Sequence, residues 1–305
     1  MPSLKEIKGR IGSVKSTLKI TSAMKLVASA KLKRAQTAIG NMVPYQDKLN
    51  GILVDLIGIG AAEAEKSKKG KQKKTSVFTT EREVRRIAIV CISSSSSLCG
   101  GFNVNAIRKS KEVIESYLEQ GYAPEDLSIY AVGKKMAQSL ANAGYHFSNE
   151  FVDFTGNPDY EFSQRLAREL VDSYVAGTVD KVELVYNHFA STGSQPTWYE
   201  TYLPLSLEGV AQPAPSVSSQ REDYYIFEPD RETLIETLLP KVLKMKIYTV
   251  LLDSAAAEHA ARTVAMQIAT DNGNELLDDL TLQYNKGRQQ KITNELLDIV
   301  GGSIG

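Results

Sequence analysis

No proline follows Pro240 in this chain, and only Gly273 and Gly287 dilute the sequence before Gly301. Over Asp230 to Val300 the composition is that of one uninterrupted helix. Within it Ile235, Leu238, Val242, Met245, Thr249, Leu252 and Ala256 recur at alternating steps of three and four. That is the a/d seam of a coiled coil, broken only by Thr249. At 1.5 Å per residue, a helix of roughly 60–70 residues is a rod about 90–105 Å long. A globular domain of this size cannot hide such a rod, which must project and find partners.

The other end of the chain answers it. Leu4, Ile7, Ile11, Val14 and Leu18 repeat the same spacing, and Ser3 with Glu6 three residues on forms a capping box. A seam at each terminus predicts two helices packed antiparallel, if the middle of the chain folds between them, and a 3.5-residue period imposes a left-handed supercoil. The first helix is expected from about Ser3 to Ile57. Its seam reads cleanly to Leu18 and then drifts to a new stripe, Ile20, Met24 and Val27, with Ala23, Ala28 and Ala30 opposite. Gly40 and Pro44 are expected to kink or interrupt it, because proline removes one bond and crowds the preceding turn.

The 305 residues allow one full core plus an extended element, and the formal net charge of zero gives no global attraction to nucleic acid or an acidic substrate. Locally the charge is uneven. The first 40 residues carry Lys5, Lys8, Arg10, Lys15, Lys19, Lys25, Lys31, Lys33 and Arg34 against Glu6 alone. The stretch 271–300 is biased to acid by Asp271, Glu275, Asp278, Asp279, Glu295 and Asp298. Opposite bias favours pairing of the two ends. No apolar run is long enough to span a bilayer, there is no secretory pattern at Met1, and Cys91 and Cys99 make no disulfide framework, so a reduced compartment is expected.

Between the helices the period changes. Residues 60–80 include the run Glu65–Lys74, lysine-rich and without apolar period, which reads as a solvated loop rather than a nucleic-acid or lipid patch because no aromatic residues interleave it. From Glu81 to about Leu207, strands at Arg86–Ile92, Leu127–Val132 and Lys181–Tyr186 alternate with helices at Asn103–Leu118, Gly133–Leu140 and Tyr160–Val175, and Trp198–Leu207 alternates in polarity. The pattern predicts a mainly parallel sheet covered on both faces. Ala211–Arg221, rich in proline and serine, is a linker, followed by the short aromatic segment Tyr224–Pro229.

Catalytic signals are weak. The loop Ser93–Gly101 follows a strand and precedes a helix, where α/β domains bind phosphates. It lacks both dinucleotide glycine spacing and a Walker lysine. Cys99 has no histidine placed beside it by any signature, and His146, His188 and His259 form no metal-spaced pair. Near the C-terminus, Tyr284–Thr293 is unusually polar for a packed rod. Arg288 and Gln289 can make directional bonds, and arginine's planar fork suits carboxylates. Gly287, which costs about 1 kcal/mol in a helix relative to alanine, points to close backbone approach of something, as does Gly273.

Three segments together carry a family resemblance. Ile11–Ala28 (IGSVKSTLKITSAMKLVA) resembles the N-terminal signature of the gamma subunit of F-type ATP synthase. Ala265–Asn272 and Leu280–Glu295 resemble its C-terminal signature, and Leu98–Asn103 (LCGGFN) matches its middle domain. The resemblance implies an antiparallel coiled coil of the terminal helices with a Rossmann-like α/β domain inserted between them. It implies a central axle inside a hexameric ring of alpha and beta subunits, standing on the membrane ring of c subunits beside the epsilon subunit. The axle itself would bind no nucleotide, cofactor or metal. Met24 and Lys25 with Arg288, Gln289 and Thr293 would meet the beta subunits, and Tyr225, Phe227 and Glu228 would touch the c ring. The chain would sit on the cytoplasmic face of a bacterial inner membrane as a peripheral protein, touching the membrane only through the c ring.

On this reading the chain divides into an N-terminal coiled-coil helix (1–59), a basic loop (60–80), an α/β domain (81–210), a linker and foot (211–229) and a C-terminal coiled-coil helix (230–305). Ser94–Ser97 stand where the family has an acidic and a basic residue, which removes a charge contact there. Two other classes compete: a basic coiled coil that binds nucleic acid, and a small α/β enzyme on a helical stalk. Salt-dependent DNA affinity would favour the first; a nucleotide held in the middle domain would favour the second.

Overall fold

The computed structural model describes residues 3–66, 78, 82–154, 156–205, 228 and 230–302. Residue contacts divide the chain into two units, Met1–Ala30 with Arg262–Gly305, and Lys31–Ala261. Two long helices contribute to both: α1, Leu4–Lys66, and α5, Arg231–Gly302. Both start on side-chain caps. The Glu6 amide donates to Ser3 Oγ at 3.2 Å, and the Thr233 amide donates to Asp230 Oδ1 at 2.9 Å, so each cap satisfies a donor that the first turn leaves without a helical partner. The Thr233 amide bond, with the Thr233 hydroxyl donating to Asp230 Oδ2 at 2.7 Å, holds the Asp230 carboxyl below its usual range.

Gly40 and Pro44 were expected to kink α1 or interrupt it; the helix is not interrupted and runs through both. Pro44 forfeits one backbone bond, a cost of about 3 kcal/mol. The turns beyond it recover that by burying Leu53 and Leu56, each worth about 1.5–3 kcal/mol when fully covered.

In the second unit, β1 (Ile87–Ile92), β2 (Leu127–Val132), β3 (Lys181–Asn187) and β4 (Thr197–Leu203) form one sheet in the order β2-β1-β3-β4. The first three strands are parallel; β4 pairs antiparallel with β3, Tyr186 opposite Trp198 and Val182 opposite Leu203. Helices α2 (Phe102–Glu119) and α3 (Lys134–Asn142) bury Ile114, Tyr117, Met136 and Leu140 with Ile87, Ile89 and Cys91. The alternate residues Ala88, Val90 and Ile92 lie in the other core cluster, with Leu166, Leu170 and Tyr174 of α4 (Tyr160–Val175) and with Leu239, Leu243, Ile247 and Leu251 of α5. The three parallel strands are thus buried on both faces, as their near-continuous apolar runs require, while the edge strand β4 leaves Trp198 and Tyr199 exposed.

This corrects the expected seam. The stretch Ile235–Ala256 was expected to pair with Leu4–Leu18. Instead Val242, Leu239 and Leu243 join the sheet's core, which also takes in Leu53 of α1, while Ala256 clusters with Leu32. Residues Leu239, Leu243, Val250 and Leu251 are buried alongside Val242 and Leu252, so the helix is apolar on more than one side here, as a helix enclosed by a core must be.

Candidate functional site

In the first unit the two helices are locked by a seam in a different register. On α1 the least exposed positions are Leu4, Ile7, Ile11, Val14, Leu18, Thr21, Lys25 and Ala28; on α5 they include Met266, Thr270, Gly273, Leu277, Leu280, Tyr284 and Gly287. Both sets step by three and four. A Cβ added at Gly287 would lie 3.2 Å from Leu4 Cδ2, and one at Gly273 only 2.7 Å from Leu18 Cδ2. The Thr21 and Thr270 hydroxyls are 3.0 Å apart, and Lys25 Nζ donates to Gln267 Oε1. Every advance along α1 is matched by a retreat along α5, so the helices run antiparallel. The same register sets Ile11 against Leu280, which is 3 % exposed. The two helical glycines are therefore floors for leucine side chains of the facing helix, which explains why the sequence accepts their propensity cost.

The stripe Ile20, Met24 and Val27 does not become a second packed face. The seam continues through Thr21, Lys25 and Ala28, because a threonine hydroxyl and a lysine head can satisfy one another's neighbours across it. Ile20 and Val27 are left 59 % and 56 % exposed, and Leu26 beside them 71 %. On α5, Ile268, Leu276, Leu282, Leu297 and Ile299 also face solvent. Large apolar side chains distributed around and along a two-helix rod lie outside its core. The sequence carried this signal, since these residues stand off a 3.5-residue period once that period is continued past Leu18.

The expected contact residues fall into two sets within this unit. Met24 and Lys25 are half-buried at the seam, and Lys25 is tied through Gln267, whose amide nitrogen donates to both Asp271 oxygens at 2.8 Å. Arg288, Gln289 and Thr293 are exposed on α5, Thr293 Oγ1 donating back to the Gln289 carbonyl at 3.0 Å. Since Lys25 faces Gln267, the sets are separated by the helix between 267 and 288, about 30 Å of rod at 1.5 Å per residue. They form two levels, not one site. Glu228 is exposed, and Tyr225 and Phe227 lie outside the described residues. Of the expected loop 60–80, residues 60–66 instead continue α1, and the rest of the lysine-rich run 65–74 lies outside the described residues.

In the second unit the serine loop is turned inward. Ser95 Oγ accepts from the Lys134 amide at 3.1 Å and Ser93 Oγ from the Met136 amide at 2.9 Å, so the donors at the start of α3 are already taken. Asn103 accepts from the Ser94 amide at 3.0 Å and donates to the Ser96 carbonyl at 3.0 Å. No open anion cradle of the kind a phosphate needs is formed there. Cys99 packs with Phe102, Ala257 and Ala261, and burial pushes the Cys91 thiol up to about 12, which keeps it inert. Among the described residues no cluster of His, Cys, Asp or Glu could hold a metal, and no helix is long and apolar enough to cross a membrane.

Comparison with known proteins places this architecture. The sequence matches the profile of the ATP synthase family over residues 3–304. It is 50% identical to the ATP synthase gamma chain of Phocaeicola vulgatus, covering 100% of both chains. It is 46% identical to that of Bacteroides thetaiotaomicron, again over 100% of each. A chain of the Euglena gracilis mitochondrial ATP synthase, determined by cryo-EM with OSCP, F1 and the c-ring, shares the fold with a TM-score of 0.61 at 16% identity, covering 99% of this chain and 93% of that one. The close, full-length bacterial relatives settle the affiliation: the chain belongs to the ATP synthase gamma chain family.

Proposed function

We propose that the chain is the central rotor shaft of an F-type ATP synthase, coupling rotation of a membrane c ring to sequential conformational change at the beta-subunit sites, in synthesis or hydrolysis. The observation that carries this is the first unit itself. Two helices are fixed to each other by glycine-floored packing while their outer surface keeps solvent-facing leucine and isoleucine side chains. A rod built so is stiff inside and adhesive outside. A ring of alpha and beta subunits is the body that would cover it, with the epsilon subunit and c ring as further partners. The chain is then a non-catalytic subunit, peripheral on the cytoplasmic face of the membrane and in contact with it only through the c ring.

The mechanism follows from asymmetry. A pair of helices presents different side chains in each direction, so three beta subunits around it cannot all meet the same face. Met24 and Lys25 at one level and Arg288, Gln289 and Thr293 at another would give each beta subunit a different set of contacts, shifting its open–closed equilibrium. Moving a site from 1:99 to 99:1 requires about 5.5 kcal/mol of differential binding. Two or three charge-assisted bonds, at about 1.5–3 kcal/mol each, reach that scale. The coupling is reciprocal: rotor angle changes nucleotide affinity, and nucleotide binding favours a rotor angle. At the foot, Tyr225, Phe227 and Glu228 would meet the c ring. The test is to replace Arg288 and Gln289 together by alanine and measure ATP synthesis and hydrolysis by the assembled complex. Both rates should fall; unchanged rates would remove these residues from the mechanism.

A further inference from the structure

Within the second unit, α5 is held on the sheet chiefly by Leu239, Leu243, Ile247, Val250 and Leu251. Apolar contact of this kind is strong but non-directional. By itself it does not fix the angle of a helix about its own axis. Two polar anchors on α5 do. Lys246 Nζ lies 2.9 and 3.1 Å from the two oxygens of Glu200, on β4. Asp253, two helical turns further on, accepts the Phe189 amide at 3.0 Å and pairs with His188 Nδ1 at 2.6 Å, just beyond the end of β3. Both anchors are themselves braced. Glu200 also accepts from the Tyr186 hydroxyl at 3.1 Å, and the His188 ring stacks on Trp198 with centroids 3.9 Å apart and planes 23° from parallel. Asp253, its side chain 15% exposed in an otherwise apolar stretch, is partnered on both oxygens.

We propose that Lys246 and Asp253 are positioning residues that index α5 against the β3–β4 hairpin, so that a turning force on the helix reaches the sheet without slip. The apolar contacts supply adhesion and these two anchors supply register, the use for which partly buried polar pairs are best attested. Rotation of the helix by one residue, or a slide of one turn, about 5.4 Å, would break both anchors together and leave a carboxylate and an ammonium part-buried without partners. The inference rests on the rotor reading, in which partners at the two units must turn as one.

The experiment uses the whole ATP synthase in inverted membrane vesicles, measuring ATP hydrolysis and ATP-driven ion uptake in the same preparation. With Lys246→Ala and Asp253→Ala combined, ions moved per ATP should fall at least threefold while hydrolysis per assembled complex stays within twofold. Lys246→Glu alone should lower the same ratio, and adding Glu200→Lys should restore it, a rescue that a general loss of stability would not give. An unchanged ratio in the double alanine variant overturns the proposal. So does a Lys246→Glu variant that Glu200→Lys fails to rescue, which decides the matter even if the double alanine complex does not assemble. A wild-type complex that hydrolyses ATP without moving ions would instead count against the rotor reading itself.

Discussion

Replacing Gly273 and Gly287 one at a time by alanine should stabilise the terminal helix pair at 287 but not at 273. Each change removes the same backbone freedom and favours helix by about 1 kcal/mol. The difference lies in what the new methyl meets. At 287 it would lie 3.2 Å from the terminal Cδ2 of Leu4, a clash that a few tenths of an ångström relieve. The net effect should be stabilisation of about 0.5–1 kcal/mol, the range found for glycine-to-alanine changes that fit. At 273 it would meet Leu18 Cδ2 at 2.7 Å and Cγ at 3.3 Å, so turning the end of the side chain does not clear it. Leu18 must leave its rotamer or the helices must part, at about 1–3 kcal/mol. The net result is between neutral and about 2 kcal/mol destabilising, so the two variants differ by about 0.5–3 kcal/mol, roughly 2- to 150-fold in the local opening equilibrium. Hydrogen exchange of the full chain, read by mass spectrometry on peptides from residues 4–25 and 266–290, measures that opening. Leu18→Ala added to Gly273→Ala should recover part of the loss, a coupling expected only of neighbours. If both alanines slow exchange equally, the close approach of the helices at Gly273 is wrong.

Leu26→Asp with Leu282→Asp should leave the isolated chain's melting stability within about 0.5 kcal/mol, because both side chains already face water. Co-purification with alpha and beta subunits should nevertheless weaken; retained co-purification would argue that no sleeve covers these positions. Glu183, fully buried on β3, takes bonds from Tyr117 at 2.7 Å and Lys181 at 2.6 Å. Glu183→Ala should cost somewhat less than the roughly 3–5 kcal/mol of a fully buried pair, since the Lys181 side chain is 27% exposed, and chemical denaturation reads the loss. Asp230 has its carboxyl pKa lowered by its bonds to Thr233. Its contribution is present above the ordinary aspartate range and is lost as pH falls through the lowered value. Acid should therefore loosen the first turn of α5 in the wild type but not add to the loosening already present in Asp230→Ala, measured by exchange of residues 231–236.

The architecture was legible wherever one physical requirement governed a run of residues. Strands buried on both faces are near-continuously apolar, and Ile87–Ile92 and Leu127–Val132 announced themselves for that reason, as did Lys181–Tyr186 through Val182, Leu184 and Val185 around the buried Glu183. The glycines at 273 and 287 stood out because they are the only two before Gly301 in a stretch with no proline. Gly9, Gly12, Gly40 and Gly51 of α1, with nothing close to an added Cβ, show that a helix also tolerates glycine without close approach. What the sequence hid was which partner each seam meets. The strongest heptad signal, Ile235–Ala256, belongs to a helix enclosed by a sheet and by α1. The true shaft seam is weaker to the eye because threonine, lysine and glycine occupy a third of its positions. A pattern of side chains records that a face is covered, not by what. Pro44 does not end the helix, since the penalty of a helical proline is local and burial of Leu53 and Leu56 outweighs it. Among the described residues Arg288, Gln289 and Thr293 are exposed and make no bond across the seam; the polarity of Tyr284–Thr293 drew attention to the first two, and the resemblance added Thr293.

The rotor account stands on the two-helix pair turning inside its sleeve. Its most direct measurement uses a cysteine placed at exposed Glu119 of α2, labelled selectively because Cys91 and Cys99 are both buried. The chain is assembled with immobilised alpha and beta subunits, a visible probe is attached at that cysteine, and ATP is added. The account requires rotation in one direction with three resting positions per turn, one for each beta site. ATP hydrolysis with a stationary probe would contradict it.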